Sequence, residues 1–177
     1  MGGISQQLEQ LVSISDQRVK IEQYKAALAE YLAKADLGAL KMFVEHVAGE
    51  TVPLSVSRVV LLELAHRLPS LSAAAVKEIG LFAIDKTTAR ATSFEEAVST
   101  MREHISTVYE AGEEWSNAAR MLQAIPLESG IRMLDDNFKV ATYVRIAMLY
   151  LQVRQPLVRI PTWRIQELSY TRESTGA

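Results

Sequence analysis

Apolar residues recur every three or four positions along most of the chain, and this spacing predicts α-helices rather than strands. The clearest example begins near residue 93 and continues to about Ala111, where Gly112 interrupts it. Ser93, followed three residues later by Glu96, is typical of a capping box and predicts that the helix begins there. The apolar stripe of this helix consists of Phe94, Val98, Met101, Ile105 and Val108.

A second, shorter helix is predicted from about Glu113 to Ala124. Together the two helices have the residue order of a tetratricopeptide-like helix pair, in which small residues let two backbones approach closely. The signature positions are Ile105, Ser106, Tyr109, Trp115, Ala118, Leu122 and Ile125. The same order begins again at Ile146, Ala147 and Tyr150. An ordinary bundle of two amphipathic helices remains the alternative interpretation.

The rest of the chain also reads as helices separated by short Gly, Pro and Ser turns. The first, Gly2–Val12, is expected to be short and frayed, with little to pack on. The apolar residues of Leu54–Leu68 cover more than one face, so this helix should lie between neighbours. We therefore predict an all-α fold without a β-sheet, an α-solenoid of antiparallel helix pairs. The other predicted helices are Asp16–Lys34, Leu37–Ala48, Ser72–Ala89 and Phe138–Leu151.

Composition narrows the possible functions. A chain of 177 residues that is 49% hydrophobic can form one sizeable core. Its net charge of −2 argues against a basic nucleic-acid surface, and the absence of cysteine excludes disulfides and thiolate chemistry. No apolar run approaches the roughly 20 residues of a membrane span, and the first residues lack the pattern of a signal peptide. We expect a cytoplasmic and nuclear protein.

The sequence contains little that suggests catalysis. His46, His66 and His104 fall on separate predicted helices, and none has a second histidine at the spacing of a metal site. Two carboxylate pairs, Glu113-Glu114 and Asp135-Asp136, flank predicted turns, where charge compensation of helix ends explains them. Trp115 could stack on a ligand, but its helical spacing with small and apolar residues favours a core position. We predict a protein that is not an enzyme, with no metal, cofactor or small-molecule ligand.

Five motifs occur in order over residues 16–151: DQRVKIEQY, VPLSVSRVVL and KEI, followed by SFEEAVSTMREHISTVYEAGEEWSNAARMLQAIPLESG and DDNFKVATYVRIAMLYL. Together they resemble the subunit 4 family of the COP9 signalosome. The resemblance implies the N-terminal helical-repeat arm of a PCI-type subunit, without the PCI domain itself. It also implies a non-catalytic scaffold of the complex that removes NEDD8 from cullin-RING ubiquitin ligases, where a different, zinc-dependent subunit performs catalysis. Implied partners are other signalosome subunits and cullin-RING ligases.

Three other functions remain open at this point. A PCI-type subunit of the proteasome regulatory-particle lid would have the same architecture, and its partners would be proteasome particles rather than cullins. A free-standing helical-repeat module would bind peptides in a groove lined by polar side chains, which the sequence does not suggest. A small helical hydrolase would need clustered acid and base residues, which are also missing from the pattern.

The stretch 152–177 looks different from the motifs that precede it. Pro156 and Pro161 disfavour a packed helix, and Arg159 falls where a helix pair needs a small residue. We expect a tail outside the family, disordered or loosely packed, like the N-terminal segment 1–15, which should be flexible or briefly helical. Gln152-Val153-Arg154 is what a CAG codon followed by GTGCGT would encode, and since GT opens an intron, our hypothesis is that the tail is translated intron sequence. Without a following helix, one face of helix 138–151 would be exposed and the chain could self-associate through it.

Overall fold

The computed structural model describes residues 2–128 and 134–154, and within these ranges the chain forms eight α-helices and no strand. The predicted all-α class is therefore confirmed for this part of the chain. Two short 3₁₀ segments, Leu68–Ser70 and Thr88–Phe94, follow α4 and α5. The helices are α1 (Gly2–Ser13), α2 (Gln17–Ala33), α3 (Leu37–Ala48), α4 (Leu54–Arg67), α5 (Ala73–Thr87), α6 (Glu95–Ala111), α7 (Trp115–Gln123) and α8 (Asp136–Arg154).

Most helix ends lie within one or two residues of the predicted positions because local capping groups determine them. The Asp16 carboxylate accepts hydrogen bonds from the backbone N–H groups of Arg18 and Val19 at 2.8 and 3.0 Å, and so starts α2. Ser72 begins α5 in the same way. Gly112 ends α6 as predicted, and its N–H group reaches carbonyl groups in the last turn of that helix.

The predicted capping box at residue 93 is wrong. The residues before α6 form the 3₁₀ segment, and the N-cap position is Phe94, which makes no side-chain capping bond. Phe94 is buried in the core, while the Arg90 guanidinium lies over its ring and donates to the carbonyl of Gly49 at 3.1 Å. These tertiary contacts fix the backbone here and outweigh the one or two hydrogen bonds that a capping box would provide.

The expectation that the first helix has little to pack on is also wrong. Leu8 and Leu11 of α1 are buried in the main core, against α2 and α3. The Tyr31 hydroxyl donates to the Gln7 side chain at 2.8 Å, and the Lys20 ammonium donates to a carbonyl near the end of α1 at 3.0 Å. The helix is short, yet it completes the core because its apolar positions pack against α2 and α3.

Each helix packs on helices that lie one or two positions away in the chain, such as α3 on α5 and α4 on α6. As predicted, α4 lies between neighbours, with α2 and α3 on one side and α6 on the other, although Val59 remains partly exposed. The main core extends from α1 to α6. A second apolar cluster joins α7 to α8, and Tyr109 of α6 packs against both clusters. The arrangement is consistent with a solenoid, in which each layer contacts the next.

Candidate interaction surface

The helix pair α6–α7 holds the seven signature residues in a closely packed crossing. The aliphatic and small signature residues are buried at the centre of the crossing, whereas the side chains of Tyr109 and Trp115 are only partly buried. The core position expected for Trp115 is therefore only partly reached. The buried members are Ile105, Ser106, Ala118, Leu122 and Ile125.

A hydrogen bond between the two helices explains why Ser106 is small and polar. Its hydroxyl oxygen lies 3.1 Å from the carbonyl oxygen of Ala118 and 3.2 Å from the Glu110 carboxylate. A helix backbone can be approached this closely only where the facing side chains are small. Ser106 thus satisfies its own buried hydroxyl and holds α7 against α6.

The inner face of α8 attaches to this pair through polar and apolar contacts. Arg145 donates to the Glu110 carboxylate at 2.8 Å and to the Thr107 hydroxyl at 3.0 Å. At the edge of this inner face, the Tyr150 hydroxyl donates to Gln123 at the end of α7 at 3.0 Å, while its side chain stays partly exposed. The apolar contacts come from Leu149, which is buried, and from Phe138 and Ile146, which pack against the second cluster.

The outer face of α8 is apolar and exposed, as the pattern of residues 138–151 predicts. Val140 is 60% exposed and Tyr143 is 51% exposed, although both are residue types that usually occupy a core. A continuous patch of this kind on a helix indicates an interaction surface. We call it the α8 outer face; it consists of Val140, Tyr143, Val144, Ala147, Tyr150 and Leu151.

The first of the two carboxylate pairs has a structural role. Glu114, just before α7, accepts hydrogen bonds from the Lys77 ammonium and the Asn117 amide, both at 2.9 Å. These two hydrogen bonds lower the pKa of Glu114. The Lys77 ammonium also lies 5.1 Å from the centre of the Tyr109 ring. The carboxylate therefore joins α7 to α5.

The histidines are interhelical groups. The His46 ring stacks on Tyr24, with 2.9 Å between its Nε2 atom and the tyrosine hydroxyl, and burial lowers the pKa of His46. Burial, together with the charge of neighbouring His66, lowers the pKa of His104. Sequence reasoning did not bring His66 and His104 together, because their proximity depends on how α4 packs on α6. Among the described residues no three groups are placed to bind a metal ion.

Of the tail predicted over 152–177, only residues 152–154, at the end of α8, belong to the described part of the chain. Residues 129–133 and 155–177 lie outside it. Of the helices in the described ranges, none combines the length and the apolar character needed to cross a membrane.

A model of the family described as PSMD12/CSN4, N-terminal, matches residues 4–174. This chain belongs to that family. The matched range begins before residue 16 and continues past residue 151, so the family region extends further at both ends than the quoted motifs indicated. It includes most of the segment expected to lie outside the family.

Curated relatives agree with this assignment. COP9 signalosome complex subunit 4 of Arabidopsis thaliana is 44% identical over 140 residues, which are 79% of this chain and 35% of the relative. The subunit of the same name from Dictyostelium discoideum is 36% identical over 152 residues, or 86% of this chain and 39% of the relative. That from Drosophila melanogaster is 34% identical over 137 residues. The chain thus spans little more than a third of the length of these relatives.

Proposed function

We propose that this chain is a non-catalytic scaffold segment of a COP9 signalosome, the complex that removes NEDD8 from cullin-RING ubiquitin ligases. The observation that supports the proposal is the similarity to curated relatives of three organisms that share the name COP9 signalosome complex subunit 4. The stacked helices provide a rigid arm for protein–protein contacts, and other signalosome subunits and cullin-RING ligases are its proposed partners. The proposed location is the cytoplasm and nucleus.

A proteasome-lid subunit is the second candidate, since the description of the family names PSMD12 beside CSN4. The two assignments share an architecture and differ in partners. The names of the curated relatives favour the signalosome. A free-standing peptide-binding module has less support, because the exposed patch on α8 is apolar and such a module would need a groove lined by polar side chains.

Affinity purification of the tagged full chain from cells tests the assignment. We expect signalosome subunits and cullins to co-purify, in preference to proteasome particles. An Ala118→Phe variant, which disrupts the α6–α7 crossing, should recover less of these partners, while Ala26→Phe on the exposed side of α2 should recover as much as the parent. Recovery of proteasome-lid subunits in place of signalosome subunits would support the second candidate.

A separate assay tests the non-catalytic role. The purified chain, incubated with a NEDD8-conjugated cullin, should leave the conjugate intact and bind the cullin-RING ligase only weakly. Gel electrophoresis reports the conjugate directly. Release of NEDD8 by the chain alone, at a rate proportional to its concentration, would refute the scaffold assignment.

A further inference from the structure

The α8 outer face contains no charged residue. Val144 is 50% exposed and Leu151, near the end of the helix, is 57% exposed. Among the described helices only α7 packs closely on α8, and it does so on the inner face, where Arg145 also contacts α6. Apolar surface of this extent is unfavourable in water and is normally covered by another segment or molecule.

The chain itself continues from the end of this helix. The helix α8 ends at Arg154, and the family match extends to residue 174, so residues 155–174 belong to the same family region as the helices. We call them the tail segment. Because a helix rises about 1.5 Å per residue, residues 140–151 span roughly 17 Å. An extended chain covers this distance with about five residues, at roughly 3.3 Å per residue. The tail segment is therefore long enough to return along the whole face.

The composition of the tail segment suits an apolar surface. Two arginines, Arg159 and Arg164, lie among its apolar residues, and an arginine can extend its apolar stem over a surface while its charge stays in water. Its guanidinium group can also lie over an aromatic ring, such as that of Tyr143 on the face. The large apolar residues are Leu157, Val158, Ile160, Trp163, Ile165 and Leu168.

Covalent connection favours the tail segment over a second copy of the chain. Two surfaces that are joined by a short stretch of chain meet at an effective concentration in the millimolar range. A second copy at micromolar concentration is about a thousandfold more dilute, and it must also lose its translational and rotational freedom on binding. With similar apolar chemistry on both, the segment of the same chain reaches the face first.

We propose that residues 155–174 of the same chain cover the α8 outer face. The inner face of α8 is already used by α6 and α7, so this contact requires no rearrangement of the described helices. A partner protein that binds the outer face has to displace the tail segment, which therefore controls access to it. The inference does not rest on the proposed function, since it concerns a contact within one chain.

Disulfide cross-linking of the purified full chain tests this contact. The sequence contains no cysteine, so a disulfide forms only between introduced residues. One cysteine is placed on the face as Ala147→Cys. The second is placed in the tail segment as Thr162→Cys, Gln166→Cys or Ser169→Cys, which leaves the large apolar residues of the segment intact. The control combines the same tail cysteines with Ala26→Cys on the exposed side of α2.

We expect at least one tail cysteine to form an intramolecular disulfide with residue 147 about tenfold faster, or more, than with residue 26, because docking raises its local concentration. Non-reducing gel electrophoresis measures both rates. Val140→Glu places a carboxylate on the face and should slow the reaction at residue 147 by about tenfold. Val19→Glu, at a valine of similar exposure (49%) on α2, should leave it unchanged. Circular dichroism checks that each variant remains folded.

Other occupants of this face give different results. If a second copy occupies it, the Ala147→Cys variant alone forms disulfide-linked dimers faster than the paired variants close their intramolecular bond, and the proposal is overturned. It is overturned as well if the tail cysteines react equally fast with residues 147 and 26, or if Val140→Glu and Val19→Glu have the same effect. The partners recovered from cells do not affect these rates, so this inference and the scaffold function can fail independently.

Discussion

The Ser106 hydroxyl donates a hydrogen bond to the carbonyl of Ala118 across the α6–α7 crossing, at 3.1 Å. Both residues are fully buried. The bond links a side chain of one helix to the backbone of the next, which requires that neither helix presents a large residue at this point. The size of residue 118 and the polarity of residue 106 are therefore both needed for the geometry of the pair.

Replacing Ala118 by phenylalanine should destabilise the fold by roughly 1–3 kcal/mol, because the new ring overpacks the crossing. Chemical denaturation of the purified chain measures this difference. The control is Ala26→Phe, where an alanine on the exposed side of α2 is replaced by the same residue. Denaturation curves of Ala118→Phe that overlay those of the parent would contradict the helix pairing described above.

Two buried serines of α6 should respond differently to alanine. Ser106 has hydrogen-bond partners, so Ser106→Ala should cost about 0.5–1.5 kcal/mol. The Ser99 hydroxyl is buried without a partner, so Ser99→Ala removes an unsatisfied group and should be neutral or stabilising. The free energy of unfolding of the two variants gives a direct comparison. Equal losses would show that the Ser106 bond contributes nothing specific.

Arg145 should anchor α8, because it joins Glu110 and Thr107 of α6. Arg145→Met keeps the apolar part of the side chain and leaves the Glu110 carboxylate, which is only 17% exposed, without its ion pair. We expect faster hydrogen exchange in α8, with the exchange of α3 unchanged. Arg120→Met, on the exposed side of α7, is the control. Unaltered exchange in α8 would show that its apolar contacts suffice.

Stability should fall as the pH decreases from 7 toward 5. Burial lowers the pKa of His46 and of His104 below the ordinary value of 6.5. In the window below pH 6.5 the unfolded chain has therefore taken up protons that the folded chain has not, and the free energy of unfolding decreases. The loss is complete once the pH is below the pKa of the folded state. Denaturation at several pH values measures the slope.

Variants and the choice of pH window distinguish the contribution of the histidines to the pH dependence of stability from that of the carboxylates. His46→Gln should reduce the slope between pH 7 and 5, since the glutamine does not titrate. The lowered pKa of Glu114 acts in a different window, below the ordinary 4.5, where stability is lost as the carboxylate becomes protonated. A stability that stays constant or rises between pH 7 and 5 would contradict the burial of these histidines.

The sequence by itself determined the helical class and most helix ends. Periodic apolar residues and local groups such as Asp16 and Gly112 act within one or two helical turns, so their effect can be predicted without the rest of the chain. The apolar circumference of α8 was likewise evident from the spacing of its residues.

Only the tertiary structure decided what depends on contacts between distant residues. Because Phe94 is buried, α6 begins at Glu95 and not at Ser93, and Leu8 of α1 is buried in the main core. The same packing brought His66 close enough to affect His104. Each outcome depends on the crossing of two helices, and local periodicity indicates which face of a helix is apolar but not which neighbour covers it.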